Sequence, residues 1–132
     1  MVVDTMSSAT DGLKARLKEI WSAGDYDRFS RYMEGGAREF YERLSLSPGS
    51  TLLDVGCGSG QLALMAARDG LDVTGVDLAD SWVERARARA QGEYLRVRFQ
   101  QADAEALPFE DGTFDAVVSL IGAMFAPRPE LV

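Results

Sequence analysis

The sequence predicts an α/β fold built on a parallel sheet. From residue 51 onward, short apolar runs alternate with segments that have helical periodicity. Glycine or aspartate closes the first two apolar runs, as is typical of strands that end at a ligand site. Strands that are joined through helices form right-handed crossovers, so we expect parallel pairing in the strand order 3-2-1-4.

Each strand is indicated by its own pattern of apolar residues. We predict strands at residues 51–55, 71–77, 95–100 and 114–120. The third alternates apolar and charged residues, which is typical of an edge strand with one solvated face. The fourth is apolar throughout 116–118, which predicts a central strand that is buried on both faces.

Two helices are predicted between the first three strands. The first covers residues 61–69 and ends at Gly70, because glycine favours the position just after a helix. The second begins at a capping box, in which the side chains of Ser81 and Glu84 would each satisfy a free backbone N–H group.

Residues 1–45 are predicted to form a helical cap segment that precedes a sheet domain at 46–132. Apolar residues at helical spacing predict three helices, the second of which breaks at Gly35 and Gly36. We expect these helices to pack over the sheet. Their apolar residues are Leu13, Leu17, Ile20 and Trp21, then Tyr26, Phe29, Tyr32 and Met33, then Phe40, Tyr41 and Leu44.

A glycine-rich turn directly follows the first strand. Gly56, Gly58 and Gly60 allow backbone angles that are closed to other residues, and they leave no Cβ atom between the chain and a ligand. Asp77 lies about 20 residues further on, at the end of the next strand, where a carboxylate can accept hydrogen bonds from ribose hydroxyls. The pattern predicts a nucleoside cofactor site, and its glycine spacing differs from the G-x-G-x-x-G of dinucleotide enzymes.

At these residues the chain resembles the class I S-adenosylmethionine-dependent methyltransferases, whose first motif is similar to residues 54–60. Residues 103–109 and 112–115 resemble a later motif of the small-molecule branch grouped as type 11 methyltransferases. The resemblance covers about residues 44–128. It implies a Rossmann-like sheet, S-adenosylmethionine as the cofactor, and direct methyl transfer to a small-molecule acceptor.

The resemblance also implies roles for residues of the glycine turn. Backbone groups of Gly56, Cys57 and Gly58 would hold the amino-acid end of the cofactor. Gly60 would complete the turn, and Asp54 would support it from the end of the first strand.

Other roles that the resemblance implies fall on the ends of the later strands. Asp77 would bind the ribose hydroxyls, and Leu78 would pack on the adenine ring. Asp103 would accept a hydrogen bond from the adenine amino group, with the backbone near Ala104 on the ring. Ser119 would face the methyl group, and no residue is identified as a catalytic base.

The resembled family continues past the fourth strand, whereas this sequence ends at Val132. We therefore expect an incomplete domain, the N-terminal cofactor-binding part alone, with little turnover and a free apolar strand that favours a homo-oligomer.

Two other functions remain open. One is a non-catalytic module that binds the cofactor or a partner protein, and the other is an NAD-dependent oxidoreductase fragment, which the glycine spacing disfavours.

Composition disfavours several classes of protein. The net charge of −7 opposes binding to nucleic acid, and Arg85, Arg87 and Arg89 are interpreted as a solvated helix face. A single cysteine excludes an intrachain disulfide, and the absence of histidine leaves out the usual zinc sites, so we expect no metal. No apolar segment reaches transmembrane length, so we expect a cytoplasmic protein with no membrane partner.

Overall fold

A computed structural model describes residues 11–16, 18–19, 34–120 and 127–132. In this part of the chain, parallel strands form one sheet in the order β3-β2-β1-β4, as the sequence predicts. The predicted α/β, Rossmann-like fold is confirmed. The strands are β1 Thr51–Val55, β2 Asp72–Asp77, β3 Val97–Gln101 and β4 Ala116–Val118.

Strand β1 lies at the centre of the sheet because its side chains are apolar on both faces. Leu52 pairs with Val73 of β2 on one side and with Ala116 of β4 on the other. Leu52 and Leu53 are both buried, as is typical of a parallel strand that is covered on two faces. The carboxyl ends of the strands therefore meet at one edge of the sheet.

Helices cover one face of this sheet. They are α1 Glu34–Leu44, α2 Gln61–Arg68 and α3 Asp80–Gly92, and residues 11–16 and 18–19 are also helical. Side chains from α1, α2 and α3 form one apolar cluster with β1, β2 and β3. A 3-10 helix, Pro129–Leu131, follows near the end of the described chain.

Among the described residues, a loop covers the other face. Leu53, Val55 and Val76 form a second buried cluster, against which apolar residues of the segment between β3 and β4 pack. Phe109 and Phe114 of that segment meet edge to face, with ring centroids 5.1 Å apart. The segment that carries the predicted adenine residues is thus anchored by its own aromatic side chains.

The predicted helix ends are confirmed at one position and wrong at two. Gly70 has a φ of +85° and closes α2, as expected. The capping box at Ser81 is wrong, because α3 begins at Asp80 after Ala79 and has no side-chain cap on that residue. The break at Gly35 and Gly36 is also wrong, because α1 already begins at Glu34 and includes both glycines.

The fourth strand departs from its predicted burial. Residues Ala116 and Val118 pack against the main apolar cluster, but the Val117 between them is 59% exposed. Successive side chains of a strand point to opposite faces, so β4 is covered on one face only in the part of the chain that the structure describes.

The predicted helix with Tyr26, Phe29, Tyr32 and Met33 lies outside the described residues. The division at residue 45 stays a prediction.

Candidate functional site

The glycine turn after β1 has the backbone conformation that its sequence predicts. Gly56, Gly58 and Gly60 have φ angles of +71°, +54° and +87°, a region that side-chain-bearing residues rarely adopt. The N–H groups of Gly56 and Cys57 both donate to the carbonyl of Val76, at 2.8 and 2.9 Å. The turn is therefore fastened to the end of β2.

Asp77 is brought into direct contact with this turn. One carboxylate oxygen accepts from the N–H of Gly58 at 3.0 Å, and the other accepts from the N–H of Ala79 at 2.9 Å. The second bond supplies the cap at the start of α3 that Ser81 does not supply. Burial raises the pKa of Asp77, while the hydrogen bonds from Ala79 and Gly58 oppose that rise. A third backbone bond, from Leu78, also opposes the rise, and the carboxylate retains acceptor capacity for a ligand hydroxyl.

Asp54 supports the turn from beneath. Asp54 is 3% exposed, and its carboxylate accepts a hydrogen bond from the backbone N–H of Ala63 in the first turn of α2. Burial and, second, the negative charge of Asp77 raise the pKa of Asp54 to about 7, whereas the Ala63 bond opposes the rise. This carboxyl group joins the end of β1 to the start of α2.

Cys57 behaves as a small buried side chain. Its thiol donates to the carbonyl of Gly58 at 3.6 Å. Burial, followed by the negative charges of Asp54 and Asp77, raises the pKa of Cys57 well above its usual value. The thiol therefore stays protonated near neutral pH, and the reactive thiolate is disfavoured.

We expect Asp54 to make folding stability depend on pH. Its pKa of about 7 exceeds the ordinary value of 3.8, so the folded protein keeps a proton that the unfolded chain has already lost. The stability from this group is fully present below about pH 4 and is lost as the pH rises through 7. The slope is at most about 1.4 kcal/mol per pH unit.

The variant Asp54→Asn provides the comparison, because the amide keeps an acceptor for Ala63 but does not titrate. Urea unfolding of both proteins between about pH 4 and 8 gives their free energies of unfolding. The free energy of unfolding of the wild type minus that of Asp54→Asn should decrease as the pH rises. A difference that stays constant over this range would contradict the assignment.

Asp103 follows β3 at the same edge of the sheet and is bound on both carboxylate oxygens. Lys14 donates to one oxygen at 2.5 Å, and the N–H of Glu105 donates to the other at 2.9 Å. Burial would raise the pKa of Asp103, but the hydrogen bonds from Lys14 and Glu105 outweigh burial and lower it. The side chain is therefore an ionised acceptor, as its predicted adenine role requires.

A four-residue ion cluster, Lys14, Asp103, Glu105 and Arg128, surrounds this position. The side chain of Glu105 is 1% exposed and lies 3.7 Å from Lys14 and 2.5 Å from Arg128. A buried carboxylate needs such partners, because an isolated buried charge is strongly unfavourable. The sequence does not single out Lys14 or Arg128 as site residues, because neither stands in a local motif.

Two arginines that were interpreted as a solvated face make bonds to the main chain. Arg87 donates to the carbonyl of Phe99 at 2.7 and 3.0 Å. Arg89 donates to the carbonyl and to the hydroxyl of Ser59, both at 3.1 Å. The side chain of Arg87 is nevertheless 51% exposed, and Arg85 is exposed over the ring of Trp82, so the interpretation holds for both. It is wrong for Arg89, which is only partly exposed because it reaches the turn.

The remaining predicted residues lie at the same edge. Leu78 follows β2, and its carbonyl accepts from the side chain of Gln101 at 3.0 Å. Ala104 packs with the second apolar cluster, and Ser119 follows β4. The structure thus gathers residues from the ends of all strands of the sheet, and the Gly58–Asp77 bond joins the turn after β1 to the end of β2.

The turn is open on the side where a ligand would lie. A Cβ atom built on Gly58 would meet no heavy atom within 4 Å. This space lets a ligand approach the main chain of Gly58 closely. Among the described ranges, no group of three or more cysteine, aspartate or glutamate residues could hold a metal ion, and no helix has the length and apolar character to cross a bilayer.

Comparison with known proteins identifies the class. The family described as a methyltransferase domain matches residues 52–132. The chain belongs to this methyltransferase family, which confirms the resemblance seen in the sequence. S-adenosylmethionine is the cofactor that the family uses, so the predicted cofactor is confirmed at the level of the family.

Individual relatives are longer than this chain. An uncharacterised protein of Mycobacterium tuberculosis is 38% identical over 128 residues, which are 96% of this chain and 47% of that protein. Demethylmenaquinone methyltransferase of Thermus thermophilus is 40% identical over 105 residues, which are 74% of this chain and 47% of that enzyme. The chain spans about half the length of the curated relatives it matches.

Solved structures share the fold. The 4+2 cyclase SpnF has a TM-score of 0.69 at 36% identity, over 74% of this chain and 37% of that one. Geranyl diphosphate methyltransferase, solved with GPP and sinefungin, has a TM-score of 0.60 at 34% identity, over 64% of this chain and 33% of that one.

Proposed function

We propose that this chain binds S-adenosylmethionine at the carboxyl edge of its sheet and serves methyl transfer to a small-molecule acceptor. The observation that carries the proposal is the hydrogen bond between Gly58 and Asp77, because it joins the glycine turn to the acidic residue that follows. The two motifs that the sequence places 19 residues apart thereby form one site. Membership of the methyltransferase family supports the same conclusion.

The nucleoside end of the ligand would be held by the later strands. Asp77 would accept from the ribose hydroxyls, and Leu78 would offer an apolar side chain to the adenine ring. Asp103, ionised by its partners, would accept from the adenine amino group. The backbone of Ala104 would lie along the ring, since the second apolar cluster holds that residue against the sheet.

The amino-acid end would be held by main-chain groups of Gly56, Cys57, Gly58 and Gly60. The buried Asp54 keeps this turn in register with α2. When bound, S-adenosylmethionine supplies an electrophilic methyl group that a nucleophile of the acceptor takes by direct displacement. The contribution of the protein to such a reaction is alignment, and Ser119, which follows β4, would face the reacting end.

The class of acceptor is proposed from named relatives. One is a demethylmenaquinone methyltransferase, and another is a geranyl diphosphate methyltransferase. The net charge of −7 supports a small-molecule acceptor over a nucleic-acid acceptor, because the chain would repel a negatively charged phosphodiester backbone. Cytoplasmic localisation and self-association through β4 stay predictions.

A second candidate is a site that binds the cofactor without transferring a methyl group. The cyclase SpnF shares 36% identity and this fold, although its name describes another reaction. Binding of S-adenosylmethionine without release of S-adenosylhomocysteine, across a panel of small nucleophiles, would favour this second candidate.

We expect the chain to bind S-adenosylmethionine or S-adenosylhomocysteine more tightly than NAD. The glycine spacing disfavours a pyrophosphate, and residues 103–109 resemble a methyltransferase motif. Titration calorimetry with each ligand measures the affinities. Tighter binding of NAD would overturn the proposal and favour the oxidoreductase alternative.

The variant Asp77→Ala tests the site within the same experiment. A charge-assisted acceptor is worth about 1.5 to 3 kcal/mol, so the affinity for S-adenosylhomocysteine should fall at least about tenfold. Asp72→Ala is the matched control, because Asp72 carries the same charge at the opposite end of β2 and pairs with Arg98. Equal affinity of the two variants would show that Asp77 serves only as a helix cap.

A further inference from the structure

The glycine turn is held from the side of α3 as well as from β2. Ser59 lies between the two positive-φ residues Gly58 and Gly60, and it is almost completely buried. Arg89 reaches from α3 and donates through one nitrogen to the Ser59 carbonyl and to the Ser59 hydroxyl, each at 3.1 Å. A single side chain thus binds both oxygens of the central residue of the turn.

We propose that Arg89 is a positioning residue for the cofactor site. By holding Ser59, it fixes the turn in the conformation that directs the main chain of Gly58 towards the ligand. The identity of the ligand, S-adenosylmethionine, rests on the proposed function. We call the pair of hydrogen bonds from Arg89 to Ser59 the clamp. The existence of the clamp depends on these contacts alone and not on the identity of the ligand.

The physical reason is the freedom of the segment that is clamped. Glycine loses more conformational freedom on ordering than any other residue, so a turn with Gly56, Gly58 and Gly60 has many alternative conformations. A ligand that must first order this turn binds with lower affinity, whereas a turn that is already ordered does not impose this cost. Hydrogen bonds from a charged group are stronger than neutral ones, which suits a guanidinium to this task.

Arg87 offers an internal control on the same helix. It also makes two bonds from its guanidinium to a main-chain carbonyl, that of Phe99, at 2.7 and 3.0 Å. That carbonyl belongs to β3 and not to the glycine turn. Arg87→Ala therefore removes the same charge and a similar pair of bonds without releasing Ser59.

The experiment compares the wild type with Arg89→Ala, Arg87→Ala and Ser59→Ala. Hydrogen exchange of a peptide that covers residues 56–60 reports the order of the turn without any ligand. Titration calorimetry with S-adenosylhomocysteine reports the affinity, and thermal unfolding reports the stability of each variant.

We expect Arg89→Ala to speed exchange of the turn and to weaken binding about tenfold. Ser59→Ala should weaken binding less, because it keeps the carbonyl acceptor, and Arg87→Ala should change binding less than about twofold while it lowers the melting temperature. Unchanged exchange in Arg89→Ala would overturn the clamp. Faster exchange with unchanged affinity would overturn the positioning role and leave a structural one. A wild type that binds no S-adenosylhomocysteine would refute the proposed function, and the exchange data would still decide the clamp.

Discussion

Replacing Gly58 by valine is expected to abolish cofactor binding while the sheet stays folded. Gly58 has a φ of +54°, and a β-branched residue is strongly disfavoured in that region. The added side chain would extend into space that contains no protein atom within 4 Å, so it would not collide with the core. It would instead fill the open side of the turn, where the proposed ligand contacts the main chain.

Gly49→Val is the matched control for this variant. Gly49 also has a positive φ, +86°, and a Cβ atom there would also meet nothing within 4 Å. Because Gly49 precedes β1, it lies at the amino edge of the sheet, away from the site. Both variants should lose about 1 to 3 kcal/mol of stability through backbone strain, but only Gly58→Val should lose binding by calorimetry. Retained affinity in Gly58→Val would show that the turn has a structural role only.

Gly75→Val is expected to destabilise the domain strongly. A Cβ atom on Gly75 would lie 2.6 and 2.7 Å from two carbons of the Phe99 ring and 3.2 Å from the Cβ of Cys57. These neighbours are buried and cannot move aside without displacing β3 or the glycine turn. Overpacking of this kind costs about 1 to 3 kcal/mol or more, a large share of the roughly 5 to 15 kcal/mol that stabilises a domain.

Urea unfolding that is followed by circular dichroism measures this effect. The milder Gly75→Ala keeps part of the clash, and combining it with Phe99→Leu removes the ring that causes it. The double variant should therefore be more stable than the sum of the two single changes predicts, which is the signature of direct contact. Simple additivity would show that Gly75 and Phe99 do not oppose each other.

The strand order and the core of the site could be predicted because their signals are local. Strand β1 carries apolar residues on both faces, and the glycines of the turn mark the position at which it ends. Asp77 follows β2 at the spacing that such a site requires. These features depend on the period of the sequence and on backbone freedom, which are properties of neighbouring residues.

Other features depend on contacts between distant segments, and the sequence does not encode them locally. Gly75 shows no turn signal within its strand, and only the Phe99 ring of β3 explains why no side chain fits there. Arg89 has the pattern of a solvated helix residue until the turn after β1 is folded beside it. Ser81 has the local pattern of a helix cap, but the carboxylate of Asp77 already satisfies the Ala79 N–H group.

The ion cluster around Glu105 has a consequence for the order in which the chain assembles. Lys14 and Asp103 are 89 positions apart in sequence, and Arg128 lies further on still. Contacts between distant positions form late, because the entropy of closing a long loop is lost before the contact compensates for it. During synthesis, the helical segment around Lys14 leaves the ribosome before its partners, which are made after β1, β2 and β3. Docking of that segment is therefore expected late in folding, onto a sheet that has already paired.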